Sequence, residues 1–406
     1  MTNWTECRIS EVVSVAQGLC INSKSKHLLS DSGYPLLRIT DLINDTEEQY
    51  IDKHRVPKKF IAKPDDLIYT RTGQVGYVFK GRVGIVHNNC FRVIPNKEIS
   101  RQYLFWFLKT KFAYDFSNAV ASGAAQPDLG HSLFLSMPFK YPDISTQQKI
   151  AAILSAYDEL IENNQQRIAL LEKMAEEIYR EWFVRLRFPG HEKVKMVKGV
   201  PEGWEVRTLA SIASEIKRGI KKKNLADAER YLGLEHIPRR SISIKEWATA
   251  STVESDKLLF QDRDILFGKI RPYLHKVALA HFSGACSSDT IVLRPKEKFY
   301  EGYLLFTIFS DTFIELATIA SKGTKMPRAD WGFLKQLELA IPDAKLLKVF
   351  QTKFELLFSQ IVNLLRANEV LTASRDLLLP RLISGKLSIE HLDIRFPSGM
   401  EESACD

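Results

Sequence analysis

Cysteine is scarce. Cys7, Cys20, Cys90, Cys286 and Cys405 are odd in number and widely spaced, with no Cys-x-x-Cys and no His pair nearby, so neither a disulfide framework nor a zinc site is indicated. Long apolar runs are also missing. Nothing approaches the ~18 apolar residues that a membrane helix needs, and the opening Met-Thr-Asn-Trp-Thr-Glu-Cys-Arg has no apolar stretch. These absences lead us to expect a protein of the reducing cytoplasm.

Catalytic signatures are absent as well. The chain has no Gly-x-x-x-x-Gly-Lys-[Ser/Thr], no Gly-x-Gly-x-x-Gly, no His-Glu-x-x-His and no Gly-x-Ser-x-Gly. Without a single Pro-Pro dipeptide it cannot hold the Asp/Asn-Pro-Pro-Tyr/Phe element of amino-methyltransferases. Glu215-Ile216-Lys217 and Asp343-Ala344-Lys345 fit half of a nuclease triad, but neither follows a Pro-Asp at ordinary spacing, and both read as chance matches. The nine histidines stand singly, and His87, His131, His275 and His281 read as structural or surface residues rather than ligands or bases. We expect no catalytic residue, no metal and no cofactor in this chain.

What the chain does have is a repeat at a spacing of 200 residues. Trp4 matches Trp204, Asp66-Leu67-Ile68-Tyr69 matches Asp264-Ile265-Leu266-Phe267 two residues out of step, Gly123 to Pro127 faces Gly323 to Pro327, and Pro142-Asp143 matches Pro342-Asp343. At 406 residues and 45% apolar content the chain exceeds the ~250 residues at which one core stops growing, so two globular units are expected. Its net charge of +8 and pI of about 9.0 favour a polyanionic partner without establishing one.

Residues 1–144 mix short strands (Asp66 to Tyr69, Gly84 to Val86, Cys90 to Ile94) with one aromatic helix, Tyr103 to Phe116. Residues 204–344 repeat that order: strands at Asp264 to Phe267, Lys276 to Ala280 and Thr290 to Leu293, then a helix from Tyr300 to Leu316. The fold class that follows is α+β: two similar globular domains joined by two long antiparallel coiled-coil helices, with a pseudo-twofold internal repeat. The expected divisions are a first domain over 1–144, a spacer helix over 145–186, a basic Pro/Gly linker over 187–203, a second domain over 204–344, a second helix over 345–386 and a tail over 387–406. The tail echoes the linker, with Arg395-Phe396-Pro397-Ser398-Gly399 resembling Arg187-Phe188-Pro189-Gly190, as if a cyclic object had been cut once beside Trp4.

The first long helix opens on Ser145-x-x-Gln148, a capping-box pattern, and its twin is read as capped by Asp343. A strict 4-3 alternation runs through Ile150, Leu154, Tyr157, Ile161, Asn164, Ile168, Leu171, Ala175, Ile178 and Trp182. The twin places Phe350, Phe354, Leu357, Ile361, Leu364, Asn368, Leu371, Arg375, Leu378 and Leu382 at the same steps. Each stripe alone could face its own domain; two of equal length point to a mutual seam. A buried Asn prefers another Asn across an interface, and setting Asn164 opposite Asn368 requires antiparallel helices with Ile150 against Leu382 and Trp182 against Phe350. Pro380 should kink the last half-turn.

Gly-bounded loops carry basic and hydrogen-bonding side chains of the kind that read base edges and hold phosphates. In the first domain these are Thr70, Arg71 and Gln74, then Ser122 and Gln126. The second domain offers Arg218 beside Lys217, the run Lys221, Lys222 and Lys223, then Lys269, Arg271 and Tyr273, Ser287 and Ser288, and Lys322, Thr324, Lys325 and Arg328. Arg71 and Arg271 are candidates for bidentate guanine contacts, Gln74 and Gln126 for adenine, and the lysine run for phosphates; that run reads equally well as a solvated loop. Gly73, Gly123 and Gly323 could equally serve turns that need positive φ.

This layout resembles the specificity subunit of type I restriction-modification systems over nearly the whole chain. The matching stretches include Pro35-Leu36-Leu37-Arg38-Ile39-Thr40-Asp41-Leu42, Asp66 to Gly73, Ile144-Ser145-Thr146-Gln147-Gln148-Lys149-Ile150, Pro201 to Trp204, Tyr231 to Glu235, Gly268 to Leu274, and Leu379 to Leu387. The first of these adds Arg38 to the DNA-binding candidates. One departure is the second helix start, Ala344-Lys345-Leu346-Leu347-Lys348, which lacks the Gln-Gln of the first. The resemblance implies a non-catalytic subunit whose two target-recognition domains each read half of an asymmetric DNA sequence. It also implies two methyltransferase (modification) subunits and further restriction/translocase subunits as partners, with S-adenosylmethionine, ATP and Mg belonging to them. The seam from 150 to 182 would span ~50 Å, or roughly 15 base pairs of duplex. The alternative is a stand-alone two-domain DNA-binding or scaffold protein that dimerises through its helices.

Overall fold

The structure, a computed structural model, describes residues 4–123, 125–323, 325–389, 391–394 and 396, excepting the side chains of residues 53, 226 and 227. Thr324, Cys405 and most of the tail echo (Arg395, Pro397, Ser398 and Gly399) lie outside the described residues. The chain divides into two compact units, residues 1–161 with 370–406 and residues 162–369. The cut passes through both long helices, Ile144–Tyr179 and Ala344–Ile383. Each unit therefore holds one globular domain plus half of each helix, where the sequence had suggested separate spacer segments.

Packing explains the division. In the first unit Ile150, Ala151 and Leu154 of one helix and Leu379, Leu382 and Ile383 of the other share a core with Tyr103, Trp106 and Phe139. In the second, Ile168, Ala175 and Tyr179 join Phe350, Phe354, Phe358 and Ile361 against Leu304, Leu305 and Phe306. Each of the leucine, isoleucine and phenylalanine side chains contributes about 1.5–3 kcal/mol by leaving water. The helices thus bury a stripe wider than a coiled-coil seam, facing each other and their own domains together. Polar contacts reinforce this second face: Trp106 Nε1 donates to Ser155 Oγ at 3.2 Å, and the Tyr179 and Thr307 hydroxyls lie 3.1 Å apart.

None of the 4-3 positions is exposed. Asn164 Nδ2 donates to Asn368 Oδ1 at 2.9 Å, and the Trp182 ring lies 5.9 Å from Phe350. Ascending one helix while descending the other, these contacts make the pair antiparallel in the second unit. Arg375, a charged seam position, is kept there by Asp158, to which its guanidinium donates. The second helix continues through Pro380 to Ile383, and Ser384 N closes on Pro380 O at 3.2 Å.

Helix starts differ in part from the sequence reading. Asp143, not Ser145, caps the first: its Oδ1 accepts from Thr146 N at 3.0 Å and its Oδ2 from Thr146 Oγ1 at 2.9 Å. Asp343 accepts from Lys345 N at 2.9 Å and Leu346 N at 3.0 Å, as expected for the twin. The lost Gln-Gln is replaced in space. Gln147 is fully buried, accepting from Ser100 N and donating to Glu98 O and Pro142 O. Gln351, one turn further along its own helix, accepts from Gly302 N and donates to Glu301.

Both domains share a sheet plan. A four-stranded antiparallel sheet orders Val13–Gln17, Cys90–Pro95, Leu67–Thr70 and Val78–Phe79 in the first, and Ala213–Glu215, Thr290–Pro295, Ile265–Gly268 and Val277–Leu279 in the second. Leu67–Thr70 and Ile265–Gly268 are buried at every position, which is why they read as continuous apolar runs rather than alternating strands. The carboxylates before them are anchored by arginines of the neighbouring strand, Asp66 by Arg92 and Asp264 by a bidentate Arg294. A second, five-stranded sheet keeps one parallel pair in each domain, Tyr34–Leu37 with Gly84–Val86 and Arg230–Leu232 with Gly284–Cys286, but its edges are built differently. The single aromatic helices expected in each domain are helix pairs instead. Thr110 and Ser310 take the N-caps of Lys111–Val120 and Asp311–Ile319, accepting from Ala113 N and Phe313 N.

Candidate nucleic-acid interface

Each buried central strand runs directly into a loop tied to a short hairpin, and the backbone of this arrangement is the same in both domains. In the first, Arg71 N donates to Asn89 O at 2.9 Å, Gly73 N to Pro127 O at 2.7 Å, and Leu129 N to Arg71 O at 2.8 Å. In the second, Lys269 N donates to Asp289 O, Arg271 N to Pro327 O and Ala329 N to Lys269 O at 2.9, 2.7 and 2.8 Å. The hairpins close reciprocally, Ser122 with Asp128 and Lys322 with Arg328. Gly123 and Gly323 both take φ +97°, and a Cβ on Gly123 would meet Gln126 O at 2.8 Å, so these glycines serve the turn. Arg71 thus corresponds to Lys269, and Arg271, at φ +50°, stands where the first domain has Gly73.

Side chains on this common backbone diverge. Arg71 is held inside the first domain, donating to Asp128 Oδ2 at 2.7 Å and Gln17 Oε1 at 3.1 Å. Thr72 donates to the other Asp128 oxygen at 2.6 Å. Burial pushes the Asp128 carboxyl up, but the hydrogen bonds from Thr72 and Arg71 outweigh it and leave its pKa below the usual carboxylate range. The expectation of a free Arg71 guanidinium is therefore corrected: one N–H of each terminal nitrogen is engaged by Gln17 or Asp128 inside the domain.

Thr70 is corrected too: it is fully buried and its hydroxyl accepts from Tyr77 N at 3.0 Å. Arg38 is engaged by Asp41 and Glu48 at 2.6 and 2.7 Å. Gln74, Ser122 and Gln126 are exposed, as base-reading residues must be.

In the second domain Arg271, Tyr273, Lys322, Lys325 and Arg328 are exposed. Lys269 Nζ donates to Ser288 O at 2.7 Å and lies 3.7 Å from Asp289, which also lies 3.4 Å from Arg328. Ser288 is exposed, whereas Ser287 is half-buried and its hydroxyl accepts from Asp289 N. A groove of about 660 Å³ runs past Lys217, Lys269, Ser288, Lys322, Arg328 and Lys335. Arg218 lines a different, smaller cavity. Of the lysine run, Lys221 and Lys222 pair with Asp256 and Glu254, which favours the solvated-loop reading for them, while Lys223 is exposed. Asp128 and Asp289 escaped the sequence reading, since a search for cations inside Gly-bounded loops does not look for the acids that position them, and Lys335 escaped it because it follows the helix Trp331–Leu334, outside those loops. Among the described residues no three His, Cys, Asp or Glu side chains converge as a metal site, and no single helix is long and apolar enough to cross a membrane.

Comparison with known proteins bears on both domains. A specificity subunit of the type I restriction enzyme MjaIX from Methanocaldococcus jannaschii is 26% identical, covering 96% of this chain and 95% of its own length. The EcoDI specificity subunit of Escherichia coli is 23% identical over 60% of each chain. The fold matches that of the crystal structure of a type I restriction-modification S subunit from M. genitalium, with a TM-score of 0.57, 15% identity, and 94% and 96% of the two chains covered. The model of the type I restriction modification DNA specificity domain matches twice, over residues 1–173 and 201–365, once for each domain with part of its helix, and the chain belongs to that family.

Proposed function

We propose that this chain is the non-catalytic DNA-reading subunit of a type I restriction-modification complex, each domain contacting one half of a bipartite, asymmetric target. The observation that carries this reading is the pair of loop-and-hairpin scaffolds, alike in backbone bonds and unlike in side chains. Such a pair presents two surfaces of one shape and two chemistries, which is what an asymmetric target requires. Two modification subunits binding S-adenosylmethionine, and restriction subunits using ATP and Mg, would supply the chemistry. The outward helix faces support their docking: Leu160, Leu170, Met174, Leu356, Val370 and Leu377 are all more than half exposed. Dimerisation of a stand-alone protein through the same helices is not favoured, because the seam residues it would use are already packed within the chain.

Mapping methylated adenines on DNA modified by the assembled complex tests the reading. A two-part motif with an unspecified gap is expected. A single continuous motif, or DNA cleavage by the purified chain with Mg²⁺ and no partners, would overturn it.

A further inference from the structure

The two domains carry the same net charge, yet their reading surfaces do not. Residues 1–144 hold eighteen basic and fourteen acidic side chains and residues 204–344 hold twenty-two and eighteen, an excess of four in each. Any difference in how they meet a polyanion must therefore come from where the charges sit. Equivalent positions, fixed by shared backbone bonds and sheet register, decide this. Where the first domain has Gln17, Gly73, Ser122 and Asp128, the second has Lys217, Arg271, Lys322 and Arg328. Lys325 extends the cationic strip along the second hairpin where the first has Ala125.

The acids have moved as well. In the first domain the carboxylate is on the hairpin, where Asp128 neutralises the lone loop cation Arg71 at 2.7 Å. In the second it has withdrawn to the turn, as Asp289, and to Asp330, which pairs with Lys322 at 2.6 Å. Lys217 pairs with a third carboxylate, Glu215, at 2.9 Å. Three carboxylates still leave an excess of two among the five exposed cations, whereas in the first domain one carboxylate balances one guanidinium.

Resting on the DNA-reading function above, we propose that the second domain is the electrostatic anchor of the pair. It grips the duplex backbone through Lys217, Lys322, Lys325 and Arg328, while the first reads through an uncharged hydrogen-bonding surface around Gln74, Ser122 and Gln126. Asp128 is a positioning residue in this scheme: it fixes Arg71 and cancels its charge. Backbone grip depends on counterion release and so falls steeply with salt, by about 0.9 in the log–log slope per phosphate contact, whereas uncharged hydrogen bonds add nothing to that slope.

The test measures binding of the full chain, assembled with modification subunits, to a labelled random-sequence DNA duplex of about 30 base pairs across a salt series. Removing three anchors together, Lys322→Gln, Lys325→Gln and Arg328→Gln, is expected to reduce the slope by about 2.7 and affinity at moderate salt by more than tenfold. Arg71→Gln should change the slope by less than one contact's worth. The reciprocal variant, Ser122→Lys with Asp128→Asn, should steepen the slope by about 1 to 2. An unchanged slope in the triple variant, or an equal change on Arg71→Gln, overturns the asymmetry while leaving DNA reading intact. Failure of the unmodified complex to bind the duplex at any salt overturns the DNA reading beneath it.

Discussion

At the scale of single residues, the charged side chains in this chain act according to what their neighbours leave free. Arg71 and Arg271 both follow a buried strand and both look like base readers. Only Arg271, standing where the first domain has Gly73, is exposed, whereas Arg71, the equivalent of Lys269, is clamped by Asp128 and Gln17. Arg271→Ala is accordingly expected to relax one half of the recognised motif and leave the other intact, costing about 1–3 kcal/mol of discrimination if the contact is bidentate. Methylation mapping of DNA treated with the variant complex reads this directly.

A buried histidine couples stability to pH in the second domain. His281 is only 7% exposed, and neither ring nitrogen has a hydrogen-bond partner. Burial, aided by Arg230 and Arg366, brings its pKa down to about 4 from the usual 6.5. The unfolded chain therefore takes up the proton first as pH falls. Stability contributed by the neutral ring is present above about 6.5 and is lost between there and about 4, amounting to about 3 kcal/mol. His281→Phe should flatten this part of the pH profile in urea unfolding, and an unchanged profile would remove His281 as its cause.

At the scale of elements, the helix pair is specified by a polar contact inside an apolar stripe. Asn164 and Asn368 satisfy one another at 2.9 Å, so Asn164→Leu leaves Asn368 facing an aliphatic chain at a cost of about 1–3 kcal/mol. Changing both to Leu should restore the urea midpoint or raise it, since a matched apolar pair removes the unsatisfied amide. A single variant as stable as the parent would contradict the pairing. A second element-level feature is the close seating of the second helix on its domain. Gly302 lies so near that a Cβ there would stand 2.8 Å from Phe354 and 3.1 Å from Phe350. Gly302→Ala is expected to cost about 1–3 kcal/mol through overpacking, measured by thermal or urea unfolding of the full chain. The 4-3 pattern was legible because a helix repeats its faces every seven residues. The second buried stripe was not, because Ser155, Phe358 and Leu365 are recognised as inward-facing only when the domain they touch is in place. The helix breaks at Thr110 and Ser310 were hidden in the same way, since the aromatic periodicity runs on through both caps.

At the scale of the whole molecule, each unit draws its core from distant parts of the chain. Residues 370–394 complete the first unit and residues 162–182 the second. Replacing residues 204–344 by the corresponding domain of a relative is expected to change one half of the methylated motif and leave the other unaltered, because the reading loops are held by bonds internal to their own domain. Changes in both halves would show that reading is shared.

The sequence by itself determined the duplication, the two long helices, their antiparallel register and the absence of catalytic signatures. All of these follow from local chemistry and periodicity, which survive in a linear string. Only the tertiary structure decided that Arg71 and Thr70 are committed inward, that Gln351 takes over the role of Gln147, and that equivalent loops are neutral in one domain and cationic in the other. Arg71 meets Gln17 and Asp128 across 54 and 57 residues and Gln351 meets Gly302 across 49, and spacing along the chain carries no record of such meetings.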